Sequence, residues 1–137
     1  MKILINLSRG KTSGWLHRSR TLGVAIKAIL DAQVKIDQMY LRLHKCPPLY
    51  KSGVRYREEP DNGVEEFACV PIILHRGWGD CDDLAPWRCA ELREAGEKAK
   101  IRIQWKRQGS GRKLFHIVVR RADGKIEDPS LILGMGR

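Results

Sequence analysis

The sequence has no apolar run long enough to cross a bilayer as a helix, which takes about 20 residues. Its opening, MKILINL, is too short for the hydrophobic region of a signal peptide, and no small-residue cleavage site follows it. These absences imply a chain that neither spans a membrane nor is secreted by a signal peptide. The expected compartment is reducing cytoplasm, of a cell or of an infected host. Cysteine is sparse: Cys46, Cys69, Cys81 and Cys89 are the whole set. No two of them form a CxxC pair, so free thiols are expected rather than disulfides or a zinc site. Nothing in the chain asks for a metal or a cofactor. Acidic residues are missing from two long stretches, 1–30 and 98–122. Eleven of the sixteen fall between Glu58 and Glu97, while Lys and Arg number 26, giving a formal net charge of +10. Such asymmetry points to an anionic partner: nucleic acid, an anionic polymer or an acidic protein surface. No recognised nucleic-acid-binding motif accompanies the charge, so nucleic-acid binding ranks last among the functional readings.

What is present fits one soluble domain over residues 1–137, without repeats or low-complexity tracts. Residues 2–7 read as a strand, with a plausible N-cap at Thr12 or Ser13. A helix is expected from about Thr21 to His44. Val24, Ile29, Ala32, Ile36, Met39, Tyr40 and Leu43 recur at helical spacing and read as its core face. Pro47-Pro48 stops it. Residues 49–68 look irregular, with turn signals at Ser52-Gly53 and Pro60-Asp61-Asn62-Gly63. Val70–Leu74 reads as a short apolar approach segment. A second helix runs to about Ala95, with Gly96 as C-cap and Leu84, Ala85, Ala90 and Leu92 facing the core. Ile101–Trp105 alternates as a strand and 108–112 is a turn. Leu114–Arg121 and Lys125–Glu127 form a hairpin. Helices first, then a small antiparallel sheet, predict an α+β fold in which the long helix and the second helix pack on that sheet.

The informative stretch is HRGWGDCDDLA, residues 75–85. If Asp80 caps the second helix, Cys81 takes the first helical position, and Asp82 and Asp83 complement the macrodipole. Free N–H groups at a helix start lower a thiol's pKa, which suits a nucleophile. The Cys81 N–H can also face a developing oxyanion. Pro86 stands against this placement. Either the helix kinks there, or Cys81 sits on a lead-in turn and the regular helix begins near Pro86. A nucleophilic thiol needs a base, and His116, on a predicted strand, is better placed than His75. The imidazole in turn wants a carboxylate, from Asp123 or Asp128. Asp123 lies at the hairpin tip, too far along the strand. A two-residue turn puts Asp128 on the face opposite His116. A three-residue loop, Ala122-Asp123-Gly124, puts it on the same face and within reach. Each residue also has a plain reading. Cys81 can be a small buried apolar group, His116 a packed strand residue and Asp128 a turn former. Cys89, mid-helix, reads as structural, and Trp78 and Trp87 read as core.

In chain order, GDCDDLA, a helix ending LREAG, FHIVV and EDPS resemble the papain-like transglutaminase-like superfamily over roughly residues 70–135. PLYKSGVRY, residues 48–56, together with GDCDDLA, also resembles small proteins of tailed bacteriophages. The first resemblance implies Cys81 as nucleophile, His116 as general base and acid, and Asp128 as orienter, without a cofactor. It implies acyl transfer at an amide of a protein or peptide substrate, by a protease, amidase, deamidase or transglutaminase-like enzyme. Pro86 and the small size depart from the pattern. The second expectation is a structural component of a bacteriophage virion, in the tail or head-tail region, bound to other virion proteins with the triad inactive. The third is nucleic-acid binding.

Overall fold

The computed structural model describes residues 2–6, 19–60, 64–107 and 113–136. The expected cap at Thr12 or Ser13, part of the Pro60–Gly63 turn and the 108–112 turn lie outside them. The elements in order are β1 (Lys2–Asn6), α1 (Ser19–Leu43), a 3-10 turn (Leu49–Lys51), β2 (Arg55–Tyr56) and β3 (Val64–Ala68). Then come α2 (Val70–Arg76), β4 (Trp78–Gly79), α3 (Cys81–Glu94), β5 (Lys100–Arg107), β6 (Lys113–Arg120), β7 (Ile126–Glu127) and α4 (Pro129–Ile132). The fold is α+β, with α1 and α3 packed against a three-stranded antiparallel sheet of order β5-β6-β7. Among the described residues, no helix is long and apolar enough to cross a membrane.

The helix α3 lies at the centre because it is apolar on two sides. Ala85, Cys89, Ala90 and Leu92 meet Ile26, Leu30 and Val34 of α1 and Ile101, Ile117 and Val119 of the sheet. Leu84 and Trp87 face a second cluster with Leu49, Val54, Val70, Ile73 and Leu133. The C-terminus of α3 closes as a Schellman motif, with Glu97 N–H to Leu92 O at 2.9 Å and Gly96 N–H to Arg93 O at 3.0 Å.

Three expectations are corrected. The buried face of α1 is Ile26, Leu30, Gln33, Val34 and Asp37, whereas Val24, Met39 and Leu43 are 72%, 60% and 76% exposed. Ala32 is also exposed, and Ile29, Ile36 and Tyr40 sit at the boundary. The inward stripe contains two polar residues and the outward stripe several apolar ones, so hydrophobicity alone selects the wrong phase. Residues 49–68 are not irregular throughout: β3 pairs antiparallel with β1, from Lys2 opposite Ala68 to Asn6 opposite Val64, and β2 pairs parallel with β4. The 70–74 segment is helical, starting α2 with Pro71 in its first turn, where a missing N–H costs nothing.

The buried Asp37 has a thermodynamic consequence. Its Oδ1 accepts from Val70 N–H at 3.0 Å, and Oδ2 has no partner among the described residues. Burial pushes its carboxyl up to about 8. A group raised in the folded state contributes stability in full below its unfolded pKa and loses it as pH rises through the folded value. The wild-type melting temperature is therefore expected to fall between pH 4 and pH 8 more steeply than that of Asp37→Asn, as thermal unfolding across that window would record. Parallel curves would contradict the assignment.

Candidate active site

The site begins where β4 hands over to α3. Arg55 N–H donates to Gly77 O at 3.1 Å and Arg57 N–H to Gly79 O at 2.9 Å, which brings the β2 segment alongside the turn. Asp80 is the N-cap of α3, and Asp80 and Asp83 form a capping box. Gly79 lets the turn pack closely: a Cβ there would lie 3.1 Å from the Asp83 Cβ and 3.2 Å from Leu84, so those neighbours would have to shift. Cys81 is the first residue of α3, and the helix continues through Pro86. The alternative in which the regular helix begins near Pro86 is therefore overturned. The missing Pro86 N–H leaves the Asp82 carbonyl without its usual intrahelical donor.

Asp83 is fully buried, with Oδ1 accepting from Ala68 N–H at 2.7 Å and Oδ2 paired with the Arg76 guanidinium. Arg76 also holds Glu66 at 2.7 Å, donates to Trp78 O at 2.8 Å and stacks 3.8 Å over the Trp78 ring. Trp87 is core as expected, but Trp78 is half-buried and has two guanidinium groups near its ring, Arg76 and, at 5.1 Å, Arg57. Asp80 and Asp82 share a side-chain hydrogen bond, and burial raises both carboxyls. Burial also raises Asp83, against the Arg76 charge and the Ala68 N–H. Glu59, pushed up to about 7 by burial first and then by Asp80, completes the group. Glu59, Asp80, Asp82 and Asp83 each place one oxygen within 4.8 Å of the others, the spacing a cation would need, and Arg76 already supplies positive charge to Asp83.

The hairpin that carries the other two residues has the three-residue loop. Arg121 N–H donates to Lys125 O at 2.8 Å, and Val119 and Arg120 pair with Glu127 and Ile126. Gly124, at φ 87°, supplies the left-handed residue such a loop needs. Continuing that register sets Asp128 opposite Val118, on the His116 face. His116 Nε2 and Asp128 Oδ2 are 2.7 Å apart, and both side chains are mostly buried. A carboxylate can only accept, so the proton sits on Nε2 and Nδ1 is left as the basic nitrogen. The other Asp128 oxygen caps α4, accepting from Ser130 N–H at 3.1 Å and Leu131 N–H at 3.3 Å. The turn-forming role and the pairing with histidine thus coexist, one on each oxygen. Asp123 instead accepts from Lys125 N–H at the hairpin tip, 2.9 Å away.

The Ile117 N–H, the amide that follows His116 in β6, lies close enough to the Cys81 sulfur to favour its thiolate. Its thiol pKa is raised, by burial first and then by Asp80, with the Ile117 N–H opposing. The lowering expected from the helix start is outweighed, first by burial of the sulfur and then by the acids that cap α3 beside it. Asp80→Asn keeps a competent cap and removes that charge. It is expected to speed alkylation of Cys81 by iodoacetamide at pH 9 by about 3–10-fold, measured by peptide mass spectrometry. An unchanged rate would contradict the electrostatic cause. Cys89 is buried mid-helix, with its thiol pushed up to about 11, as suits a structural residue.

Sequence reasoning missed three neighbours. Tyr56 enters with β2, and its hydroxyl is pushed up to about 12 by burial first, then by Cys81, Glu58, Asp80 and Asp128, so it stays a donor. Gln104 lies directly opposite His116 in the β5–β6 ladder. A turn centred on residues 108–112 would have implied that register. Glu127 anchors the strand next to Asp128, binding Arg88 at 2.5 Å, Arg121 at 2.6 Å and the Tyr50 hydroxyl at 2.5 Å. No family model matches the chain, and neither does any curated protein or solved structure.

Proposed function

We propose that the protein is a cysteine acyl-transfer enzyme acting on an amide of a protein or peptide. The observation that carries this reading is the 2.7 Å pairing of His116 with Asp128, next in β6 to the Ile117 amide that favours the Cys81 thiolate. The resemblance to transglutaminase-like proteins assigns the same three residues. With a raised thiol pKa, Cys81 reacts by giving its proton to His116 as it attacks, rather than as a standing thiolate. The S–C bond forms, the carbonyl becomes an oxyanion, and Asp128 stabilises the imidazolium. His116 then protonates the leaving amine as the C–N bond breaks, which leaves a thioester. Water, deprotonated by His116, releases the acid and restores the thiol. Hydrolysis is favoured over crosslinking because nothing in the chain marks a dedicated amine-acceptor site.

The test is trapping with a peptide vinyl sulfone at pH 7.5, followed by mapping of the adduct. The expected product is a single thioether on Cys81, absent from Cys81→Ser. Equal modification of Cys46 and Cys81 would overturn the reading.

A second reading is an assembly role on the same fold, and the exposed apolar stripe of Val24, Met39 and Leu43 along α1 favours it. Self-association or partner capture that Met39→Lys abolishes, with no trapping of Cys81, would select it.

A further inference from the structure

The sheet face that carries His116 carries a row of cations. In β6, His116, Val118 and Arg120 share one face, and opposite them in β5 stand Gln104, Arg102 and Lys100. The other face, with Ile101, Ile117 and Val119, is turned to the helices. Lys100, Arg102 and Arg120 are exposed, and none has an ion-pair partner among the described residues. By contrast, Arg42, Arg76, Arg88 and Arg121 each hold a carboxylate. Lys100 lies directly opposite Arg120, a like-charge cross-strand pair that destabilises a ladder. A bound anion would remove that repulsion.

We infer that this row docks an acidic peptide segment flanking the reacting amide, an inference that rests on the acyl-transfer reading. Alternate strand residues are roughly 7 Å apart. Arg102 therefore stands one such step from the Gln104–His116 pair, and Lys100 with Arg120 stands two steps away. An extended peptide with the reacting residue at His116 would present its residues two and four positions away to these cations. Carboxylates at those two positions, on one side of the reacting residue, are the complementary pattern. Peptide is favoured over nucleic acid because, among the described residues, only three cations line the face, with half-buried Gln104 at one end and buried Val118 between them. On that face β5 and β6 place no Phe, Tyr or Trp beside the cations for base stacking.

The experiment measures fluorescence anisotropy of labelled peptides with the Cys81→Ser protein. Each peptide has a central glutamine, with glutamates two and four positions to its N-terminal or its C-terminal side. One of the two is expected to bind about 10-fold or more tighter than an all-glutamine control, and to weaken with salt. Arg102→Gln with Arg120→Gln should erase that preference, while Lys125→Gln at the hairpin tip should leave it intact. Three results would each overturn the inference: no preference for either acidic peptide, a preference that survives the double substitution, or tighter binding of a DNA duplex than of the peptide. The binding protein lacks the nucleophile. Failure of docking therefore leaves trapping of Cys81 in the wild type untouched, and failure of trapping leaves docking measurable.

Discussion

Replacing His116 with alanine is expected to slow trapping of Cys81 by the vinyl sulfone about 10²–10⁴-fold at pH 7.5. The size follows from the raised thiol pKa. A cysteine already ionised at neutral pH loses little when its histidine is removed. Here burial and the charge of Asp80 hold the proton on sulfur, so attack requires a base at that moment. The residual rate of the variant should rise with pH, as hydroxide takes over the proton, and the gap to the wild type should narrow. Rate-versus-pH curves for both proteins check this. A variant as fast as the wild type at pH 7.5 would mean that His116 plays no part.

The second large effect is on stability. Asp83→Ala is expected to lower the unfolding free energy by about 3–5 kcal/mol, read from urea midpoints at constant slope. The carboxylate ties together the end of β3, through Ala68 N–H, and the end of α2, through Arg76, and it closes the α3 capping box. Removing it leaves the mostly buried guanidinium with Glu66 as its one remaining carboxylate partner among the described residues and orphans the Ala68 amide. Arg76→Met should cost less than Asp83→Ala, because Asp83 can take up a proton, whereas a guanidinium cannot lose one. A loss below about 1 kcal/mol for Asp83→Ala would show that the link carries little of the fold's stability.

The parts of the site that were legible depend on local rules. Loop length sets strand register, and a register shift of one residue turns a side chain to the other face. The sequence allowed a two-residue or a three-residue loop, and it is the observed Ala122-Asp123-Gly124 loop that brings Asp128 to the His116 side. Asp80 before Cys81 was readable as a cap. The state of the thiol was not legible, because it depends on how deeply the sulfur is buried and on which charges share its pocket. Those follow from the β2–β4 pairing, two residues long and joining segments more than twenty positions apart. The phase of α1 failed for a related reason. Gln33 and Asp37 are buried by tertiary packing that no helical period reports. The strand β3, VEEFA, hides behind its two glutamates, and its pairing with the distant β1 is what orders it.

In the proposed mechanism Cys81, His116 and Asp128 act as one unit. Its most direct test is a double-mutant cycle on the rate of Cys81 trapping, using His116→Ala, Asp128→Ala and the pair. Residues that work as a unit are strongly non-additive. The prediction is that the pair is no slower than His116→Ala alone. Losses that multiply, or an Asp128→Ala protein that traps at the wild-type rate, would contradict it.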